Sequence, residues 1–307
     1  MEAAQAREGA RARFGGSEGP GRPGEWSGAA LGAAEFRRLA DFIHAHCGIR
    51  LPSAKRIMVE SRLRKRLRAL GLSSFREYCD LVFGARGGGE RLHLVDALTT
   101  NKTDFFREPQ HFEYLLRTAL PQLVRDFGAG VRRPLAVWSA ACSTGEEPYT
   151  LAMVLAEVAG KIAGFRFQIL ATDISTRVLE HARRGIYAAD RVEPVPAALR
   201  RKYLLRSRDR ARNLVRVAPQ LRGLVKLRRL NLLDDDLGLR ERQDAIFCRN
   251  VLIYFDRETQ EGVLNRLCRH LAPGGYVFLG HSETINGLGV PLRPVAPTIY
   301  RRTGEAP

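Results

Sequence analysis

From residue 111 onward, short apolar runs alternate with helix-like segments, and this alternation most constrains what the chain can fold into. Strand-like runs fall at about 135–140, 167–172, 225–231, 244–249, 276–281 and 297–302. Helical patterns lie between them, near 111–126, 148–159, 175–184 and 257–271, with Ser175 and Asp256 placed as N-caps. Parallel strands need a long crossover, so the alternation predicts a mostly parallel sheet wrapped by helices. Residues 191–228 break the rhythm. They are polar and basic around a short β-prone piece, "NLVRV", and read as an insertion.

The first third differs. Residues 35–100 carry helical periodicity only. Phe36, Leu39, Ala40 and Ile43 share one face, and Gly48 is a stop signal. In "PSAKRIMVESRLRKRLRALG", Val59, Leu63, Leu67 and Leu70 form an apolar stripe ending at Gly71. Residues 1–33 are rich in Gly, Ala, Arg and Glu and are expected to be disordered, because they cannot bury enough apolar surface to offset ordering entropy.

Composition narrows the class. Five dispersed cysteines without a C-x-x-C pair indicate free thiols in a reducing compartment and speak against structural zinc. No apolar run approaches the roughly 18–20 residues that span a bilayer, and no secretory h-region follows the N-terminus, so a cytoplasmic protein without membrane insertion is expected. The net charge is +17, which attracts a polyanion: nucleic acid, an acidic membrane or an acidic protein face. Charge alone does not choose among them.

In an open α/β sheet, ligands bind beyond the carboxyl ends of the strands. The first strand runs into "SAACSTGEEPY", a turn with a glycine but also Glu146 and Glu147, where a phosphate site wants bare backbone N–H groups. The second ends in "ATDIS", placing Asp173 where an acid takes ribose hydroxyls. The third ends in "NLL", with Asn231 and Leu232. The fourth, "IFCRNVLIYF", brings Arg249, Asn250 and Tyr254. An acid for ribose and a glutamate in place of a phosphate cradle suit S-adenosylmethionine, whose ammonium a carboxylate could meet. Each residue also has a plainer reading. Asp173 could be a helix cap, Glu146 and Glu147 dipole partners, Asn231 a turn residue, and His281 a core histidine. The coincidence at four strand ends favours the ligand.

The motifs "TTNKTDFFRE", "VWSAACSTGEEPYTLA", "ATDIS", "NLL", "IFCRNVLIYFD" and "PGGYVFLGHSE", in this order, resemble the bacterial chemotaxis receptor methyltransferases, the CheR family. The resemblance covers roughly residues 35–303. It implies a helical N-terminal domain (34–100), a linker (101–110) and a Rossmann-like methyltransferase domain (111–303) with a small antiparallel β-insert. It also implies methyl transfer from S-adenosylmethionine to glutamate side chains of chemoreceptors, with S-adenosylhomocysteine as product. By the same resemblance Asn101, Thr103 and Arg107 reach the cofactor from the linker. Glu147, Asp173, Asn231, Leu232, Arg249 and Asn250 complete the cofactor set, and Arg107 and Tyr254 orient the nucleophile. The segment "RLRKRLRALGL" matches the basic helix of that family's N-terminal domain; such a face is usually just solvated, but the resemblance implies that Arg62, Arg64, Lys65 and Arg68 steer an acidic helical region of the receptor. In members that tether to a receptor's C-terminal peptide, the insert has a glycine-bearing loop. Here it reads "RSRDRARN", which speaks against tethering.

A glutamate carboxylate is already ionised at neutral pH (reference pKa about 4.3), so methyl transfer to it needs no general base and no metal. A monomer without a nucleic-acid partner is expected. The net charge keeps an RNA methyltransferase as the rival reading, although no N-P-P-Y-type motif follows the fourth strand. A non-catalytic cofactor-binding module is the other.

Overall fold

The computed structural model describes residues 30–85 and 87–304, so most of the N-terminal extension, for which disorder was expected, lies outside the described residues. Four helices open the chain: α1 (Ala33–Cys47), α2 (Arg56–Leu70, entered through a 3-10 turn at Ser53–Lys55), α3 (Phe75–Phe83) and α4 (Gly88–Leu98). They bury one core, in which Leu39, Ile43, Val59, Leu63, Leu67, Tyr78 and Leu94 are shut off from solvent. Gly48 and Gly71 end α1 and α2 in the left-handed conformation (φ 71° and 67°), as their positions after the apolar stripes predict.

The second part is built on a seven-stranded sheet. Its strands are β1 (Leu135–Ala140), β2 (Phe167–Asp173), β6 (Val225–Arg229), β7 (Gln243–Cys248), β8 (Leu271–Leu279), β9 (Leu292–Ala296) and β10 (Ile299–Arg302). The order is β6-β2-β1-β7-β8-β10-β9; the first five are parallel, and β10 runs antiparallel to both neighbours. Side chains alternate between two cores. Val137, Ile169 and Phe247 face one, while Trp138, Ile246 and Val277 face the other. The helices are α5 (Gln110–Tyr114), α6 (Leu120–Phe127), α7 (Glu146–Ala159), α8 (Thr176–Arg184), α9 (Ala197–Tyr203), α10 (Pro219–Arg222) and α11 (Arg257–His270). Ser175 Oγ accepts the Val178 N–H at 3.4 Å, and Asp256 Oδ1 accepts the Thr259 N–H at 3.0 Å, so both expected caps form.

Three elements depart from the sequence expectation. The helix expected at 111–126 contains a π turn at Leu115–Ala119 between α5 and α6. The insertion expected at 191–228 is a three-stranded antiparallel sheet, β3 (Ile186–Ala188), β5 (Leu214–Val217) and β4 (Leu204–Arg206), so it begins earlier and ends at Val217. Residues Val225–Arg229 pair with β2 in the main sheet, Val225 opposite Ile169. They form an edge strand, as the strand-like run at 225–231 predicts, and charged residues such as Lys226 and Arg228 suit that edge position. Finally, β9 was not expected, because Pro294 weakens its strand signal on an edge. The glycine-free turn of the insert takes its left-handed residue from Asn213 (φ 45°), the side chain that best tolerates this conformation after glycine, so the turn survives without glycine.

The two parts are joined by specific contacts. Ile174, just past β2, packs on the helical core. Thr176 Oγ1 donates to Asp96 at 2.7 Å, His44 meets Asp256 at 3.1 Å, and Asn231 Nδ2 donates to the His46 carbonyl at 2.7 Å. The carboxyl ends of the strands therefore face the helical domain.

Candidate active site

A cavity of about 1150 Å3, open mouth included, lies beyond the ends of β1, β2, β6 and β7. Its wall contains Asn101, Thr103, Arg107, Glu147, Asp173, Asn231, Leu232, Arg249, Asn250 and Tyr254, so every residue assigned from sequence to cofactor or chemistry converges there. The helical domain supplies the rest of the wall. Cys47, Ile49, Leu51, Lys55, Met58 and Leu98 close it with a largely apolar surface that no strand-end reading could anticipate.

The turn after β1 separates its two glutamates. Gly145 (φ 100°) opens α7, and a Cβ there would lie 2.8 Å from the Ala182 methyl and 2.9 Å from the Tyr187 hydroxyl, so the turn packs too closely for a side chain. Glu146 turns to Arg191, just past β3, at 3.0 Å and accepts from Thr144 at 2.6 Å. Arg191 also pairs with Asp104 of the linker at 2.9 Å. Glu147 points into the cavity, accepts from Ser139 Oγ at 2.7 Å and meets Arg249 at 3.4 Å. Burial pushes its carboxyl up, against the pull of Arg249.

Arg249 is the centre of the electrostatics. Its side chain is 2% exposed. It sits between Glu147 and Glu108 (3.3 Å), bonds to the Arg107 carbonyl and lies 5.5 Å from the Phe112 ring centroid. Burial raises Glu108, yet Arg249, the His281 N–H and the Asn250 amide bring it below the usual range. Arg249 thus joins Glu147 and Glu108, and the partly exposed Arg107 approaches Glu108 from the linker at 4.0 Å. The Nε of Arg249 has no hydrogen-bond partner among the described residues.

Asp173 is 6% exposed. Its two oxygens accept the Ser143 and Ser175 N–H groups, each at 2.9 Å, which leaves further lone pairs for hydroxyls. Burial lifts its carboxyl to about 6 despite these N–H bonds. Ser175, not Asp173, caps the helix after β2, so the cap reading of Asp173 is corrected, while the turn reading of Asn231 holds. Asp173 organises its own loop, and Asn231 forms a turn with Leu233 N while tethering α1. Ser143 Oγ donates to the Asn101 carbonyl at 2.9 Å, which fixes the linker over the turn.

Two acids in the motifs were given no role from sequence. Glu108 follows Arg107 directly and Glu283 ends "GHSE", and neither stands at a strand end where the ligand rule would single it out. Glu108, His111 and His281 offer donor atoms within 4.8 Å of one another. Arg249 already supplies the cation beside Glu108. Burial and Arg249 hold His111 at about 4, and its Nε2 meets Thr298 Oγ1 at 2.9 Å, so His111 is the core histidine and His281 an exposed one.

The basic helix is not uniformly free. Arg62 bonds the Leu98 and Thr99 carbonyls at 2.9 and 3.1 Å and so caps α4 directly before the linker. Arg66 is held by Glu90 at 2.6–3.2 Å, and Arg64 pairs with Glu60. Lys65 and Arg68 are exposed without ion-pair partners among the described residues. None of the four candidate docking residues lines the cavity.

A doubly wound sheet with a strand-end cavity lined by Glu147 after β1 and Asp173 after β2 has the form expected of an S-adenosylmethionine-dependent methyltransferase. Residues 101–299 match the CheR methyltransferase SAM binding domain, and residues 34–99 match the CheR methyltransferase all-alpha domain. Chemotaxis protein methyltransferase 2 of Pseudomonas aeruginosa is 43% identical over 266 residues, covering 87% of this chain and 92% of its own. The chemotaxis protein methyltransferase of Escherichia coli is 42% identical over 259 residues, covering 84% and 87%. That of Borreliella burgdorferi is 38% identical over 269 residues, covering 87% and 94%. The chain belongs to the CheR methyltransferase family, the enzymes of chemotaxis that esterify chemoreceptor glutamates.

The pH response expected of the site rests on the role the sequence assigns to Asp173 at a ligand hydroxyl. A charged hydrogen bond contributes about 1.5–3 kcal/mol, and protonation removes the charge. Because the carboxyl titrates near 6, affinity for S-adenosylhomocysteine is expected to fall as pH drops through 6 and to be restored above it. Asp173→Asn should be weak throughout and lose most of this inflection. Calorimetry from pH 7.5 to 5 checks this, and an equal inflection in wild type and variant would remove Asp173 as its source.

Proposed function

We propose that the cavity binds S-adenosylmethionine with Asp173 at the ribose hydroxyls, Asn231 and Leu232 beside the adenine, and Glu147 at the ammonium. Asn101, Thr103, Arg107, Arg249 and Asn250 enclose the methionine portion. The bound cofactor supplies an electrophilic methyl on a sulfonium. The protein's own work is to exclude water and hold a receptor glutamate oxygen in line with that methyl. The observation that carries this reading is the convergence of Asp173, Glu147, Arg249 and the linker residues Asn101, Thr103 and Arg107 on one cavity, where Glu147 is ion-paired only with Arg249 among the described residues and can accept a ligand ammonium. Arg107 and Tyr254 stand in the same wall, and the Tyr254 hydroxyl has no protein partner among the described residues. Both are assigned to orienting the nucleophile.

The substrate face is α2, whose residues Arg64, Lys65 and Arg68 meet an acidic helical region of the receptor by charge complementarity. Arg62 serves this face indirectly, by fixing the α4 end beside the linker. The enzyme is assigned to the cytoplasm as a monomer. Among the described residues no helix is long and apolar enough to cross a membrane.

The test uses labelled S-adenosylmethionine, a receptor cytoplasmic fragment and scoring of base-labile label. Lys65→Glu with Arg68→Glu should raise the receptor KM about 10-fold while leaving cofactor affinity unchanged, and wild-type activity should fall with salt as exposed charges are screened. Tyr254→Phe should slow single-turnover transfer without weakening cofactor binding. Label appearing on RNA instead of receptor would overturn the substrate assignment, and an unchanged KM in the charge-reversal variant would end the docking role of α2.

A further inference from the structure

We propose that Glu283 is a positioning residue for methyl transfer: its carboxylate, anchored just past β8, sets the turn after β7 that presents Arg249, Asn250 and Tyr254 to the cavity. The proposal rests on the cofactor assignment above. Glu283 is 5% exposed and lies outside the cavity wall. One oxygen accepts the Asn250 N–H at 2.9 Å and the Gly280 N–H at 2.6 Å; the other accepts the Leu252 N–H at 2.7 Å. Among the described residues it has no ion-pair partner, so backbone dipoles alone oppose its burial.

The turn needs such an anchor. Asn250 has φ 58°, a left-handed conformation that asparagine tolerates, so the anchor's work is to hold the N–H groups of the turn in place. A Cβ at Gly280 would lie 2.2 Å from Asn250 Nδ2 and 2.9 Å from its backbone N, so β8 must pass the turn as bare backbone. With the N–H groups of Asn250 and Leu252 fixed on one carboxylate, Asn250 Nδ2 reaches Glu108 at 3.3 Å and Tyr254 follows two residues later. Loss of the anchor would release the turn, and the groups on it would lose their geometry toward the reacting methyl.

Glu283→Gln keeps the shape but places an NH2 donor against N–H donors. The expected result is an S-adenosylhomocysteine Kd raised about 10-fold and a single-turnover methylation rate lowered at least as much, with the receptor KM unchanged. Asp244→Asn is the stability control. Asp244 anchors Arg133 and the Ala136 N–H at the opposite end of the sheet, so it should lower Tm without moving Kd or rate. If Glu283→Gln does not fold, Glu283→Asp, which keeps the charge but is one methylene shorter, gives the same readings with a smaller change. A folded Glu283 variant with wild-type Kd and rate would overturn the proposal. Asp173→Ala, measured alongside, separates the two levels. If it weakens binding while the Glu283 variant does not, only the positioning role fails; if neither does, the cofactor assignment has failed.

Discussion

Replacing Arg249 by alanine is expected to destabilise the protein by about 3–5 kcal/mol, because it removes the only ion-pair partner of Glu147 among the described residues and leaves Glu108 with the more distant Arg107 alone. The guanidinium is 2% exposed, and its loss would leave a gap between linker and sheet beside the cavity. Cofactor binding should be lost with it, since Arg249 also holds the Arg107 carbonyl. The same reasoning predicts a rescue. Arg249→Ala combined with Glu108→Gln should recover about 1 kcal/mol or more relative to Arg249→Ala alone, as neighbours in one charge network couple by that order. Urea unfolding of the four members of this cycle measures both quantities. An Arg249→Ala midpoint equal to wild type would mean that the charges are solvated and the buried network is not what holds the linker.

Glu147→Ala is the second large effect, and it falls on binding more than on folding. The carboxylate loses only a Ser139 hydrogen bond and a 3.4 Å ion pair from the protein's side, and Arg249 keeps Glu108. Its proposed ligand contact, a charged hydrogen bond to an ammonium, contributes about 1.5–3 kcal/mol, so the Kd for S-adenosylhomocysteine should rise roughly 10- to 150-fold. Glu146→Ala, one residue earlier, should behave differently. Glu146 meets Arg191, beside the insert, so its loss should loosen the linker contact at Asp104 and change affinity less. Calorimetry on both variants decides which glutamate serves the ligand, and a larger loss in Glu146→Ala would reverse the assignment.

Much of this was legible in the chain because it depends on local order. The period of the apolar residues placed the strands and helices, and a strand-to-helix turn puts its residues at the carboxyl end of a parallel sheet whatever else the fold does. Asp173, Glu147, Arg249 and Asn250 therefore reach the cavity by their position at strand ends alone. The capping serine and aspartate at 175 and 256 were readable for the same reason, since an N-cap bonds within its own first turn.

What only the tertiary structure decided are pairings between residues far apart in sequence. Glu108 and Arg249 are partners across the linker and β7, and Glu283 reaches back to the Asn250 turn; no spacing rule connects them. One edge strand went unread: β9 carries Pro294 and lacks the apolar run of a central strand, whereas the other edge strand, β6, was legible at 225–231. The basic helix shows the same division. Its sequence establishes that a cationic face exists, but only packing shows that Arg62 and Arg66 are held by α4 while Lys65 and Arg68 remain open to solvent. Local pattern fixes which face of an element is apolar and where its ends lie, because those follow from backbone geometry. Which charges meet in the interior depends on how the elements are brought together, and a buried charge must then find its partner wherever the fold has put it.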